Sequence, residues 1–187
     1  MITRVPMPPP QPVNTGRVTN KQYLLRPVNP AFIVASLLGA FILNLLPWGR
    51  ALAVPDFVAL VLVFWNIHQP RRVGIGVAFL MGLFMDIHDA ARLGENALAY
   101  VVLSYGAIML HRRLGSFTAL MQSLQVLPLF VAAQLVVVVV RLVIGAGFPG
   151  WPFFLESLTT ALLWPLATWL LLAPQRRPLE RDETRPI

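Results

Sequence analysis

The sequence predicts an all-α integral membrane protein folded as a bundle of six transmembrane helices. Three observations carry that reading. Hydrophobic residues fill 57% of the 187 positions and charged residues only 12%, about half the charged share of an average soluble chain. Mean hydropathy is +0.68. The few charges fall in short clusters separated by apolar segments, and basic-rich clusters alternate with basic-poor ones. This composition excludes a disordered chain, a coiled coil and a nucleic-acid-binding module. The chain has no cysteine, so it has no disulfide framework, thiolate nucleophile or cysteine metal site.

A membrane helix needs roughly 17–25 mostly apolar residues. The segments that qualify or come close are 31–47, 55–69, 73–86, 93–110, 118–144 and 153–172. Residues 1–30 hold seven of the 17 prolines and four of the basic residues. They read as a disordered cytoplasmic arm, and 173–187 reads as a basic cytoplasmic tail. The polar lead before the first segment is too long for the n-region of a signal peptide, so that segment reads as a retained span. The second and third segments are short. Asp56 to Gln69 gives a helix of about 21 Å against a hydrocarbon core of about 30 Å. A re-entrant hairpin would leave Arg71 and Arg72 in or beyond the membrane, at about 2.5 kcal/mol or more each. Two short helices crossing a locally thinned bilayer cost less.

Orientation follows from the basic residues. Arg4, Arg17, Lys21 and Arg26, then Arg71 and Arg72, then Arg112 and Arg113, then Arg176, Arg177, Arg181 and Arg185 lie on one side. Only Arg50, Arg92 and Arg141 lie on the other. Both termini are therefore expected in the cytoplasm. Asp56, Asp86, Asp89, Glu95 and Glu156 fall on the outer side. The net charge of +7 is thus a topology signal, with a contact to anionic lipid as its further use, and does not indicate nucleic acid.

Gly74, Ala78, Gly82 and Asp86 are spaced by four and form one stripe on the third helix. Ala31, Ala35 and Gly39 form another on the first, with Ser36, Ala40 and Asn44 beside it. Small residues at this spacing let helix backbones approach in lipid. Such a stripe serves either packing within the bundle or docking of a partner's helix. Pro128 and Pro165 are expected to interrupt the fifth and sixth helices. Gln122, Gln125 and Gln134 are expected to bond across to other helices. Trp48 and Trp151 fit an outer aromatic belt, and His68 and His111 fit the inner headgroup level.

Chemistry is sparse. Asp86, His88 and Asp89 stand close together, but Asp86 at the water interface beside hydrated loop residues His88 and Asp89 explains them better than a metal site or an acid–base pair. No phosphate loop, Ser–His–Asp order or zinc motif occurs. No carboxylate lies at mid-membrane depth, which argues against driven transport and against an intramembrane enzyme. Asp86 and Glu156 near Arg141 suggest an outer polar cluster. A convergent polar set in a closed cavity there would mark a small-ligand-binding or transport subunit. A flat groove of small residues would mark an adaptor.

The order of these motifs resembles a known family. It runs from Pro55-Asp56-Phe57 through Val63-Phe64-Trp65 to the basic turn His68-Gln69-Pro70-Arg71-Arg72-Val73. Gly76 through Gly82-Leu83-Phe84-Met85-Asp86 follows, then Leu93-Gly94, Ala97-Leu98-Ala99-Tyr100 and Leu163-Trp164-Pro165. Together they resemble the bacterial rod shape-determining MreD family over roughly residues 30–175. The proline-rich arm has no counterpart in that pattern. The resemblance implies an inner-membrane, non-enzymatic component of the cell-elongation machinery, without cofactor or metal. The implied fold is similar to the substrate-binding subunits of energy-coupling-factor transporters. The implied partners are MreC, met at its membrane span and periplasmic base, indirectly MreB, RodA and its partner transpeptidase, and membrane lipids. Gly82, Asp86 and Gly94 match the motif, followed by Trp164 and Pro165. Their expected role is partner contact or folding.

Overall fold

A computed structural model describes residues 29–48, 54–89, 92–114 and 118–175, and every regular element among them is helical. The elements are α1 (Pro30–Leu45), α2 (Phe57–His68), α3 (Ile75–His88), α4 (Glu95–Leu114), α5 (Ala119–Val143), α6 (Leu155–Leu162) and α7 (Trp164–Leu172). A 3-10 turn, Trp151–Phe154, leads into α6, and another, Ala173–Gln175, follows α7. Most of the expected arm (1–28) and tail (176–187) lies outside the described residues.

Three of the helices start for a local reason that the sequence shows. Asn29 caps α1 by accepting the Ala31 N–H at 3.0 Å, and Pro30 at the first helical position has no N–H to satisfy. Asp56 caps α2 from the Ala59 N–H at 2.9 Å. Pro165 sits in the first turn of α7, just past the break at Leu163, so the last apolar run is two stacked helices. Pro128 behaves otherwise: α5 is continuous through it. Its exposed ring faces away from the bundle, and an outward-facing proline bends a helix without severing it.

The core is built around α2. Every residue from Val58 to Asn66 is buried, because α1, α4, α6 and α7 all pack on it. A helix that is apolar all round is enclosed by protein or by lipid, and the burial of α2 on every side shows that protein encloses it. The short length of α2 therefore meets helices where the sequence suggested thinned lipid. Outside this core α3 packs on α4, α4 on α5, and α5 on α6 and α7. Trp65 and Trp164 are fully buried in the half of the bundle where α2 ends. The Trp65 indole N–H donates to Ser36 Oγ at 2.8 Å, and that of Trp164 to Gln122 Oε1 at 3.1 Å.

The outward faces are strongly apolar. Leu38 and Ile42 on α1, Phe79, Leu80 and Phe84 on α3, Leu124 and Val139 on α5, and Leu166 and Trp169 on α7 are all exposed. Water does not tolerate so much contiguous apolar surface on a monomer, whereas lipid does. Two runs, Ala119–Val143 (25 residues) and Trp151–Leu172 (22 residues), are long and apolar enough to cross a bilayer, while α1, α2 and α3 are apolar but shorter.

Candidate functional site

Polar side chains gather at one end of the bundle, where α1, α3 and α5 end and α2, α4 and α6 begin. Asp56 is its hub. Besides capping α2, its carboxylate accepts from Asn44 Nδ2 on α1 at 2.9 Å and from the Tyr100 hydroxyl on α4 at 2.7 Å. Its own N–H donates to Thr160 Oγ1 on α6 at 2.9 Å. Asn44 completes the loop by accepting the Phe57 N–H at 3.0 Å. One residue thus ties four helices together, and each bond to its charged carboxylate is worth about 1.5–3 kcal/mol.

Asp86 is the second hub and is fully buried. It accepts the backbone N–H groups of Gly94 and Asn96 at 2.7 Å each and of Ala97 at 3.5 Å. The first turn of α4 presents unpaired N–H groups and a partial positive charge, and Asp86 supplies the anion from the end of α3. Two glycines make this approach possible. Gly94 has φ +103°, a conformation that disfavours any side chain. A Cβ on Gly82 would stand 2.4 Å from the Ala97 Cα, so only glycine lets α3 lie this close to α4. Gly82, Asp86 and Gly94 therefore meet as one device at the α3–α4 corner. Ala78 lies buried on the same face, and Gly74 precedes the helix as its N-cap.

Trp164 and Pro165 lie far along the chain from this device, at the start of α7. Trp164 is fully buried, with its ring centroid 6.3 Å from that of Phe64 on α2.

The expected cluster of Asp86 and Glu156 near Arg141 is arranged differently. Arg141 pairs with Glu95 on α4, and its guanidinium carbon stands 5.8 Å from the Phe153 ring centroid. Glu156 accepts from Gln134 Nε2 at 3.1 Å. Gln134 also donates to the Phe153 carbonyl at 2.9 Å and accepts from Ser157. Asp86 stays out of this set because the α4 amides already occupy its oxygens. The cross-helix glutamine bonds are present for Gln122 and Gln134. His88 and Asp89 lie exposed, 3.0 Å apart. Trp48 and Trp151 are exposed at the polar end, His68 and His111 are half-buried toward the other.

The polar groups line a half-open cavity of about 320 Å³ between α2, α4, α5 and α6. Asp56, Tyr100, Gln134, Arg141, Glu156 and Thr160 line it together with Ala59, Phe130 and Val137. Asp86 does not line it. Among the described residues no three His, Asp or Glu side chains group closely enough to hold a metal ion. Sequence reasoning placed Asp56 and Tyr100 without giving either a role. Pro55-Asp56 ahead of an apolar run is a helix-start signature, but nothing in the spacing marks the Tyr100 hydroxyl as its partner.

The profile of the family described as rod shape-determining protein MreD matches residues 25–173. The rod shape-determining protein MreD of Haemophilus influenzae (strain ATCC 51907 / DSM 11121 / KW20 / Rd) is 31% identical over 143 residues, covering 75% of this chain and 88% of that relative. No solved structure matches the chain at a significant level.

Proposed function

The chain belongs to the rod shape-determining MreD family, and we propose that within rod-shape determination it acts as a non-enzymatic, helix-docking adaptor in the inner membrane. In this reading the chain crosses the membrane six times with both termini in the cytoplasm. The polar end then faces outward and the Arg71–Arg72 turn inward. The partner is the single span of MreC. MreB, RodA and its partner transpeptidase are engaged through MreC or through the inner basic turns.

The observation that carries this reading is the fate of the two small-residue stripes. The one on α3 is consumed by α4. The one on α1 is open: Ala31, Ala35 and Gly39 are all exposed, and a Cβ at Gly39 would meet nothing within 4 Å. Helices associate in lipid through such flat strips. The α3 stripe, with Gly94, Trp164 and Pro165, then serves as the internal frame that fixes the docking helix in place.

A photo-crosslinking residue placed at Ala35 or Gly39 in living cells is expected to trap MreC, while one at Leu166 on α7 is not. Gly39→Leu is expected to abolish the adduct and round the cells while leaving the purified chain's unfolding midpoint in place. Equal trapping from α7, or none from α1, refutes docking on α1.

A further inference from the structure

The polar end holds more than one space. Beside the 320 Å³ cavity lies a second of about 390 Å³, bounded by Val54, Pro55, Pro149 and Pro152. Asp56, Asp89, Phe153 and Glu156 belong to the walls of both, so the outer space is a vestibule to the inner one. The inner volume falls at the lower end of the range for small-molecule sites, roughly 300–1,000 Å³, and its lining mixes polar and charged side chains with an apolar wall of Phe130, Ala133 and Val137.

The charges specify the occupant. Four carboxylates line the inner cavity, Asp56, Asp89, Glu95 and Glu156, against one cation, Arg141. Arg141 is committed to Glu95. Asp56 and Glu156 are joined through one hydroxyl: Thr160 Oγ1 accepts the Asp56 N–H at 2.9 Å and donates to the Glu156 carbonyl at 2.7 Å. Carboxylates lining one cavity repel each other, and a positive charge among them, or a proton on one of them, relieves that repulsion. Glu156 has capacity for it. Its Oε2 takes the Gln134 amide, whereas Oε1 takes no hydrogen bond from any described residue.

A lone metal ion does not fit, because the acids do not converge on one point. An elongated cation does. It can set a charged end on Glu156 and lay its alkyl part against Phe130 and Val137. The chain already shows such chemistry beside this wall, where the Arg141 guanidinium pairs with Glu95 and stands by the Phe153 ring.

We propose that this cavity binds a small organic cation, a short-chain alkyl ammonium or guanidinium compound, with its charged end on Glu156 between Asp56 and Gln134. This goes beyond the adaptor reading and does not depend on it.

The test uses the full chain in nanodiscs of phosphatidylcholine, titrated calorimetrically at low salt with cadaverine, pentanediol or glutarate. These share one length and differ in charge, and empty nanodiscs give the blank. Cadaverine is expected to bind saturably and raise the unfolding midpoint, while the neutral and anionic compounds do neither. Glu156→Gln keeps the side chain's shape and is expected to weaken cadaverine about tenfold or more, equivalent to roughly 1.4 kcal/mol. Ala133→Leu fills the cavity without touching a charge and is expected to abolish binding. Three results each overturn the proposal: no saturable cadaverine binding, pentanediol binding as tight as cadaverine, or unchanged cadaverine affinity in whichever of the two variants folds.

Discussion

Replacing Gly82 by alanine adds one carbon at the tightest point of the bundle. That carbon would stand 2.4 Å from the Ala97 Cα, 2.7 Å from the Ala97 N and 2.8 Å from the Asn96 carbonyl oxygen. Carbon atoms in contact settle at about 3.5–4.0 Å, so α3 and α4 must part by about 1 Å or more. All three obstacles are backbone, so no rotamer change relieves them. One turn further on, Asp86 holds the Gly94 and Asn96 amides at 2.7 Å each. Parting the helices by that much carries those bonds past their usual limit of about 3.2 Å. Overpacking costs about 1–3 kcal/mol, and losing one charge-assisted bond adds about 1.5–3 kcal/mol. The expected loss is therefore about 2.5–6 kcal/mol, a large share of a typical total of about 5–15 kcal/mol. Gly39→Ala is the matched control. Its Cβ meets nothing, and removing a glycine from a helix interior gains about 0.5–1 kcal/mol. The assay is chemical unfolding of the purified chain in detergent, followed by tryptophan fluorescence. Identical midpoints for Gly82→Ala and the parent, or an equal fall for Gly39→Ala, would refute the reasoning.

Asp86→Asn keeps the shape but turns an amide N–H toward the α4 N–H groups. It is expected to cost about 1.5–3 kcal/mol per bond lost, measured by the same unfolding assay. Gly94→Ala forces a side chain onto φ +103°. It is expected to cost about 1–3 kcal/mol, and Gly94→Asn less than Gly94→Ala, because asparagine tolerates positive φ better. The fully buried Asn66 donates to Ser104 Oγ at 2.8 Å, and its Oδ1 has no partner. Ser104→Ala alone is expected to cost about 1–3 kcal/mol, because it strands the Asn66 amide as well. Adding Asn66→Leu is expected to recover most of that loss, and a double-mutant cycle in the unfolding assay reads the coupling.

Much of the helical layout is legible in the sequence because lipid and charge impose it. Apolar runs bounded by arginines and carboxylates give α1 to α5 to within a few residues. The Trp164-Pro165 pair marks the break between α6 and α7, since proline supplies no N–H and fits the first turn of a new helix. The same rule fails at Pro128, where composition cannot say that the ring points outward and that α5 continues. The polar end is legible only in part. That Asp56, Asp86, Glu95 and Glu156 share one end follows from counting spans. Which acid takes which partner does not follow. The Asp56–Tyr100 and Glu95–Arg141 pairs join residues 44 and 46 positions apart, and local spacing carries no information about such pairs.

The two small-residue stripes show where sequence reading stops. Ala31-Ala35-Gly39 and Gly74-Ala78-Gly82 have the same four-residue spacing and the same capacity for close helix contact. What separates them is the segment that follows the second one. Gly94 permits a tight turn, the first turn of α4 offers free N–H groups, and Asp86 lies one turn beyond Gly82 to receive them. The α3 stripe is therefore closed by its own chain at a point fixed by a charge. No carboxylate extends the α1 stripe at that spacing: the next positions in the series are Leu43 and Pro47. The small-residue strip that ends in an anion facing a helix start is thus the one the fold uses for itself, and the one without that anion stays exposed, which is where the proposed adaptor seats its partner. Placing an aspartate at Leu43 tests the distinction. It gives α1 a terminal anion with no amide group to receive it, so it is expected to lower MreC crosslinking from Gly39 without drawing any helix of the chain onto α1. If a cysteine at Gly39 instead forms a disulfide with one on another helix of the same Leu43→Asp chain, the anion alone directs closure and the role given to the Gly94 turn is wrong.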